Sequence, residues 1–186
     1  MGIPTLISTS TPSNAATTSI TSGITSSYDE YMFVIPDIRE NAGAGGTASF
    51  EFQFNGSIDS GSNYNVAKTT TFFKALHEED DGAASLAYVA GDDLAQGTGF
   101  QNLIPDGAQD DDASHAGILH LFSPANTTYV KHFYGRFVSM GVPGSDRRVE
   151  DLFVAGYFNT TSAIDAIQFK LAANNHNGTI QMYGIS

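Results

Sequence analysis

Five histidines (His77, His115, His120, His132, His176) and two acidic clusters (HEEDD at 77–81, DGAQDDD at 106–112) are the residues best equipped for chemistry in this sequence. Imidazole and carboxylate together can hold a metal ion or move protons. His120 and His132 flank the short connector SPANTT, so paired strands would bring them near one another, with Asp110 to Asp112 as a further source of ligands. Two histidines on strands are more commonly packing or surface residues, and no metal site is expected. Neither acidic cluster has the D-x-[DN]-x-[DN]-G spacing of a calcium loop. Three consecutive aspartates read instead as solvated surface. Acids are numerous enough for paired-carboxylate hydrolysis, but none sits in a motif that marks a raised pKa. The chain has no G-x-S-x-G elbow and no H-E-x-x-H helix motif. The glycine-rich GAGGT at 43–47 leads into a strand pattern, so it cannot cradle phosphate at a helix N-terminus. The expectation is a protein with no catalytic residues, no cofactor and no metal.

Composition supports a folded chain. Of 186 residues, 41% are hydrophobic, and 13 Phe and 8 Tyr carry the aromatic load in the absence of Trp. That length suits one domain with a real core. Cysteine is absent, which excludes disulfides and thiolate metal sites. No apolar run reaches the length of a membrane helix, and the first residues lack the charged and apolar regions of a secretory signal, so none is expected. The net charge of −12 argues against a nucleic-acid partner or an anionic membrane surface. Residues 75–130 hold ten of the twenty acids and neither Lys nor Arg. The N-x-[ST] sequons at Asn55, Asn126, Asn159 and Asn177 are attributed to chance in an Asn- and Thr-rich chain.

Period-2 alternation dominates the chain from Tyr28 onward. In YDEYMFVIPDI, Tyr31, Phe33 and Ile35 oppose Met32 and Val34; in SFEFQFNGS, Phe50, Phe52 and Phe54 oppose Glu51 and Gln53. Further strands are expected at 66–76, 85–90, 117–122, 129–138, 151–158, 164–171 and 179–185. Asn55-Gly56 and Asn177-Gly178 are read as turns. Residues 91–116 form the longest stretch without strand character. Phe50, Phe52, Phe54, Leu119, Leu121, Ile167 and Phe169 are the expected core. Short strands with dense turn punctuation predict an antiparallel β-sandwich, of jelly-roll type, over residues 28–186. Residues 1–27 carry no charge, and 14 of them are Ser or Thr. They are read as an extended arm that lies along a neighbour or covers the domain's own sheet. The arm's Ile3, Leu6, Ile7, Ile20 and Ile24, with Arg39, Arg136, Arg147 and Arg148, are the candidate interface residues, since arginine is favoured at interfaces.

The C-terminal FNTTSAIDAIQFKLAANNHNGTIQMYGIS resembles the ending of a widespread class of tailed-phage virion structural proteins. YDEYMFVIPDI and FEFQFNGSIDSGSNYNV resemble that class's early strand and its Asn-Gly and Ser-Gly-x-x-Tyr segments. The resemblance covers most of residues 28–186 and implies a jelly-roll sandwich and a place in the virion. It supplies no catalytic residues. The expected role is a capsid decoration, or cement, subunit made in the host cytoplasm. It would sit on the outer surface of the head as a homo-oligomer, bound to the major capsid protein and to copies of itself. The alternative is a tail-fibre or tail-tip domain that binds a host receptor or carbohydrate, with Tyr64, Phe100 and Tyr129 as stacking aromatics.

Overall fold

The computed structural model describes residues 2–41, 47–58, 63–109, 112–141 and 147–186. Its elements are β1 (Thr5–Ser10), β2 (Thr18–Ile20), β3 (Glu30–Glu40), β4 (Thr47–Gly56), β5 (Lys68–Glu78), β6 (Ala84–Tyr88), β7 (Gln101–Ala108), β8 (His115–Phe122), β9 (Lys131–Gly141), β10 (Arg148–Phe158), β11 (Ile164–Leu171) and β12 (His176–Ile185). All pairings between these strands are antiparallel, and the described residues contain no helix. The larger layer runs β1-β12-β3-β8-β9-β10-β5-β6, and the smaller runs β7-β4-β11-β2. A lone pair, Gly107 opposite Gly141, links them along one rim. Most connections cross from one layer to the other, as in a jelly roll. Only β5–β6, β8–β9 and β9–β10 join strands that are both consecutive and paired. The chain is therefore an all-β antiparallel sandwich of jelly-roll type.

Alternation explains the core. Phe50, Phe52 and Phe54 of β4, Ile167 and Phe169 of β11, and Leu119 and Leu121 of β8 are all fully buried. They meet Phe33, Phe133 and Phe158 from the larger layer through a chain of edge-on and stacked rings, with centroids 4.9–6.2 Å apart. Each such side chain contributes roughly 1.5–3 kcal/mol by burial alone.

Of the two placements expected for the segment 1–27, the structure shows contact with the domain's own sheets: β1 pairs with β12 at the edge of the larger layer, and β2 pairs with β11 at the edge of the smaller one. Ile20 and Ile24 lie in the domain's own core. Two other expectations are corrected. Residues 91–116 contain β7, which pairs with β4 despite Pro105 and Gly107. Its Gln101 is buried and holds the preceding loop, accepting from Thr70 Oγ1 and donating to the Asp92 carbonyl, both at 2.7 Å. Asn177-Gly178 is not a hairpin turn between β11 and β12, which do not pair. The chain reverses at 172–175, with Asn174 at φ 67°, and Asn177 and Gly178 lie inside β12. Gly178 has φ 145°, and a Cβ there would come 2.2 Å from the Asp37 carbonyl oxygen. The GAGGT loop falls outside the described residues except for Thr47, as do Asp110 and Asp111.

Phe52→Ala should cost about 3–5 kcal/mol in urea unfolding, because the cavity opens between the two layers. Deleting residues 2–20 should abolish cooperative unfolding, since it strips a strand from each layer and removes Ile20 from the core; circular dichroism melting checks this.

Candidate interface face

The inward residues of the larger layer are accounted for by the core; the outward ones are unusual. Register aligns them in rows across β3, β8, β9, β10, β5 and β6. Met32, His120, Tyr134, Ala155 and Thr71 form one row, and Val34, Ile118, Arg136, Phe153, Phe73 and Tyr88 form the next. Ala116, Val138, Asp151, Ala75 and Leu86 follow. Leu86 is 74% exposed, Tyr88 57% and Tyr134 47%, and Phe73, Ile118, Val138 and Val149 are also exposed. Exposed apolar side chains scattered singly are normal, but a contiguous face of them marks an interaction site.

The few charges within these rows are neutralised locally. Arg136 donates from Nε and Nη2 to the two Asp151 carboxylate oxygens at 2.9 and 2.7 Å, and its guanidinium lies 4.9 Å over the Phe153 ring. Phe153 in turn stacks on Phe73 at 4.7 Å. His120 pairs with Glu30 at 2.5 Å and stacks on Tyr134 at 4.6 Å. Where the row narrows to Ala155 and Thr71, a shallow groove of about 500 Å³ opens between Phe122, His132, Tyr134 and Tyr157.

The residues nominated from sequence fare unevenly. Ile3 and Leu6 are exposed, Ile7 is half-buried, and Ile20 and Ile24 are core. Arg39 pairs with Asp37, and Arg147 lies 3.9 Å from Asp112. Arg148 is largely buried and bonds the fully buried Glu150 through Nε and Nη2 at 2.7 and 2.6 Å, so it serves the interior and not a surface contact. Arg136 alone stands within the apolar face. Tyr64 is buried, Phe100 carries Lys170 over its ring at 4.3 Å, and Tyr129 is exposed. His120 and His132 share the outward face around Tyr134, His120 stacked on its ring and His132 lining the groove beside it, and the other three stand elsewhere. His77 pairs with Asp81, His115 bonds Ser139 and the Ala108 carbonyl, and His176 bonds Thr18 Oγ1. Burial pushes the pKa of His115 and His176 down. No group of three His or acidic residues is placed to hold a metal among the described residues.

Alternation does not single out Phe73, Leu86, Tyr88, Ile118, Tyr134, Val138 and Val149 in the sequence. A signal existed: LFVAGYF at 152–158 is apolar at consecutive positions, which means both faces of that strand are apolar.

The interior also holds two lysines that have no counter-ion among the described residues. Lys68 and Lys131 sit on either side of Phe158 in register and are buried. Their ammonium groups donate to backbone carbonyls, Lys68 to Gly99 and Lys131 to Ser162, each at 2.5 Å. Burial lowers the pKa of Lys131 and brings that of Lys68 to about 7.

Comparison with family models, curated proteins and solved structures finds no match.

The buried lysine yields a signed pH dependence. The unfolded state holds the Lys68 proton up to its ordinary value of 10.5, whereas the folded state releases it near 7. The cost of burying the charge is thus complete below about pH 7 and absent above about 10.5, so stability rises with pH across that window. Lys68→Met should raise the melting temperature at pH 6 and make the rise between pH 7 and 10 shallower. Equal melting curves for both proteins at pH 6 would show that the ammonium is adequately solvated.

Proposed function

We propose that the chain is a non-enzymatic virion structural protein, a decoration subunit on the outer surface of a tailed-phage head. In this reading it binds the major capsid protein and further copies of itself. The observation that carries it is the exposed, locally neutral apolar face of the larger layer. An isolated domain with net charge −12 gains nothing from such a face, whereas a subunit of a tiled shell buries it. The acid-rich loops around Glu78–Asp81 and Asp92–Asp93 suit a solvated outer surface that keeps particles apart. The resemblance of the strand segments to virion proteins supplies the class of particle.

A second reading has its own support. The groove between Tyr134, Tyr157, Phe122 and His132 presents aromatic rings, and a sugar could stack there if the chain were a tail-fibre or tail-tip domain. Quantitative mass spectrometry of purified virions, combined with antibody labelling, separates the two. The decoration reading predicts hundreds of copies per particle and label over the head. A handful of copies, with label confined to the tail, would replace it with the receptor-binding reading.

A further inference from the structure

We infer that β6 is a docking edge for an extended strand of another protein, one whose apolar residues are flanked by lysine or arginine. This inference stands on the edge itself and does not depend on the virion reading.

β6, the sequence ASLAY, is the outermost strand of the larger layer and, among the described residues, pairs only with β5. All five of its residues are exposed. The bonds just outside it fix the phase of the ladder: Glu78 N–H donates to the Ala83 carbonyl, and Val89 N–H to the Phe72 carbonyl. In an antiparallel pair, bonded and non-bonded residues alternate. Ser85 and Ala87 therefore bond to β5, while the N–H and C=O groups of Ala84, Leu86 and Tyr88 point away from it. They form a row of donors and acceptors with strand spacing.

Natural edges are guarded by charge, proline or a bulge. The opposite edge, β1, has a register shift between Leu6 and Ser8 and lies between Pro4 and Pro12. β6 has no charge, no proline and an unbroken register from Phe73↔Tyr88 to His77↔Ala84. Tyr88 and Leu86 add exposed apolar side chains that continue the Phe73 and Ala75 rows.

Charge chooses the occupant. Glu78, Glu79, Asp80 and Asp81 precede the strand, and Asp92 and Asp93 follow it. Antiparallel pairing with a second copy would set the acidic turn of one beside Asp92 and Asp93 of the other. Parallel pairing would stack each acidic cluster on itself. Both arrangements join like charges on a chain of net charge −12. A strand with cationic flanks meets the same acids favourably, and main-chain bonds to the edge supply the rest of the affinity.

The test uses the full chain and two labelled peptides, KKTVTVTVTKK and EETVTVTVTEE, in fluorescence anisotropy at low ionic strength. The lysine-flanked peptide should bind at least about tenfold more tightly, and the preference should shrink with salt. Leu86→Pro removes an outward-facing N–H and leaves the β5 ladder intact, so it should weaken binding about tenfold without altering the melting temperature. Leu86→Lys, which keeps the backbone, should weaken it as well and serves if the proline variant fails to fold. Equal affinity for both peptides, no binding of either, or unchanged binding by the Leu86 variants would overturn the inference. So would concentration-dependent dimerisation of the chain that Leu86→Lys abolishes.

Discussion

Seven phenylalanine rings hold the two layers of this sandwich together. Phe50, Phe52 and Phe54 on β4 and Phe169 on β11 come from the smaller layer; Phe33, Phe133 and Phe158 come from the larger. Phe50 stacks on Phe169 with planes 7° apart, Phe169 meets Phe33, Phe33 meets Phe54, and Phe54 meets both Phe52 and Phe158. Ring pairs of this kind add about 0.5–1.5 kcal/mol beyond the area they bury. Every crossing connection of the jelly roll brings another strand onto this slab. A chain without disulfides depends on it, because no covalent cross-link beyond the backbone itself joins the layers.

The N-terminal segment and the last strand close the structure around that slab. β12 is an interior strand, held by β1 on one side and β3 on the other. The N-terminal segment edges the larger layer with β1 and the smaller with β2, and Ala15 bridges to His176 between them. His176, fully buried, takes Thr18 Oγ1 at 2.8 Å and lies edge-on to Phe50, so the segment is tied to the aromatic slab itself. With that side of the sandwich closed, the outward face of β8, β9, β10, β5 and β6 is left as an apolar surface that none of the described residues covers. This exposed apolar exterior is the basis for reading the chain as a subunit.

Much of the fold was legible because burial on one face writes itself as alternation. The β4 phenylalanines and the β11 strand, 164–171, could be read residue by residue. β7 was hidden because Pro105, Asp106 and Gly107 are turn residues by composition, whereas here they occupy a strand whose register shifts twice against β4. Asn177-Gly178 misled for a related reason: its positive φ serves an irregularity within β12, where the register shifts again against β3. The arm's place was not legible, since Ile20 and Ile24 are isolated apolar residues in a Ser/Thr background and only tertiary pairing distinguishes core from contact. The same holds for Lys68 and Lys131, whose burial at strand ends no local pattern announces. The apolar exterior was readable in principle, from strands apolar at every position, but alternation drew attention to the inward residues.

In the assembled state the outer face of the larger layer should be covered. Hydroxyl-radical footprinting of the free chain and of the native particle or complex that contains it tests this directly. Phe73, Tyr88 and Tyr134 should lose most of their labelling on assembly, while Tyr129, exposed in the β8–β9 connector away from those rows, keeps its own. Unchanged labelling of Phe73, Tyr88 and Tyr134 in the assembled state would contradict it.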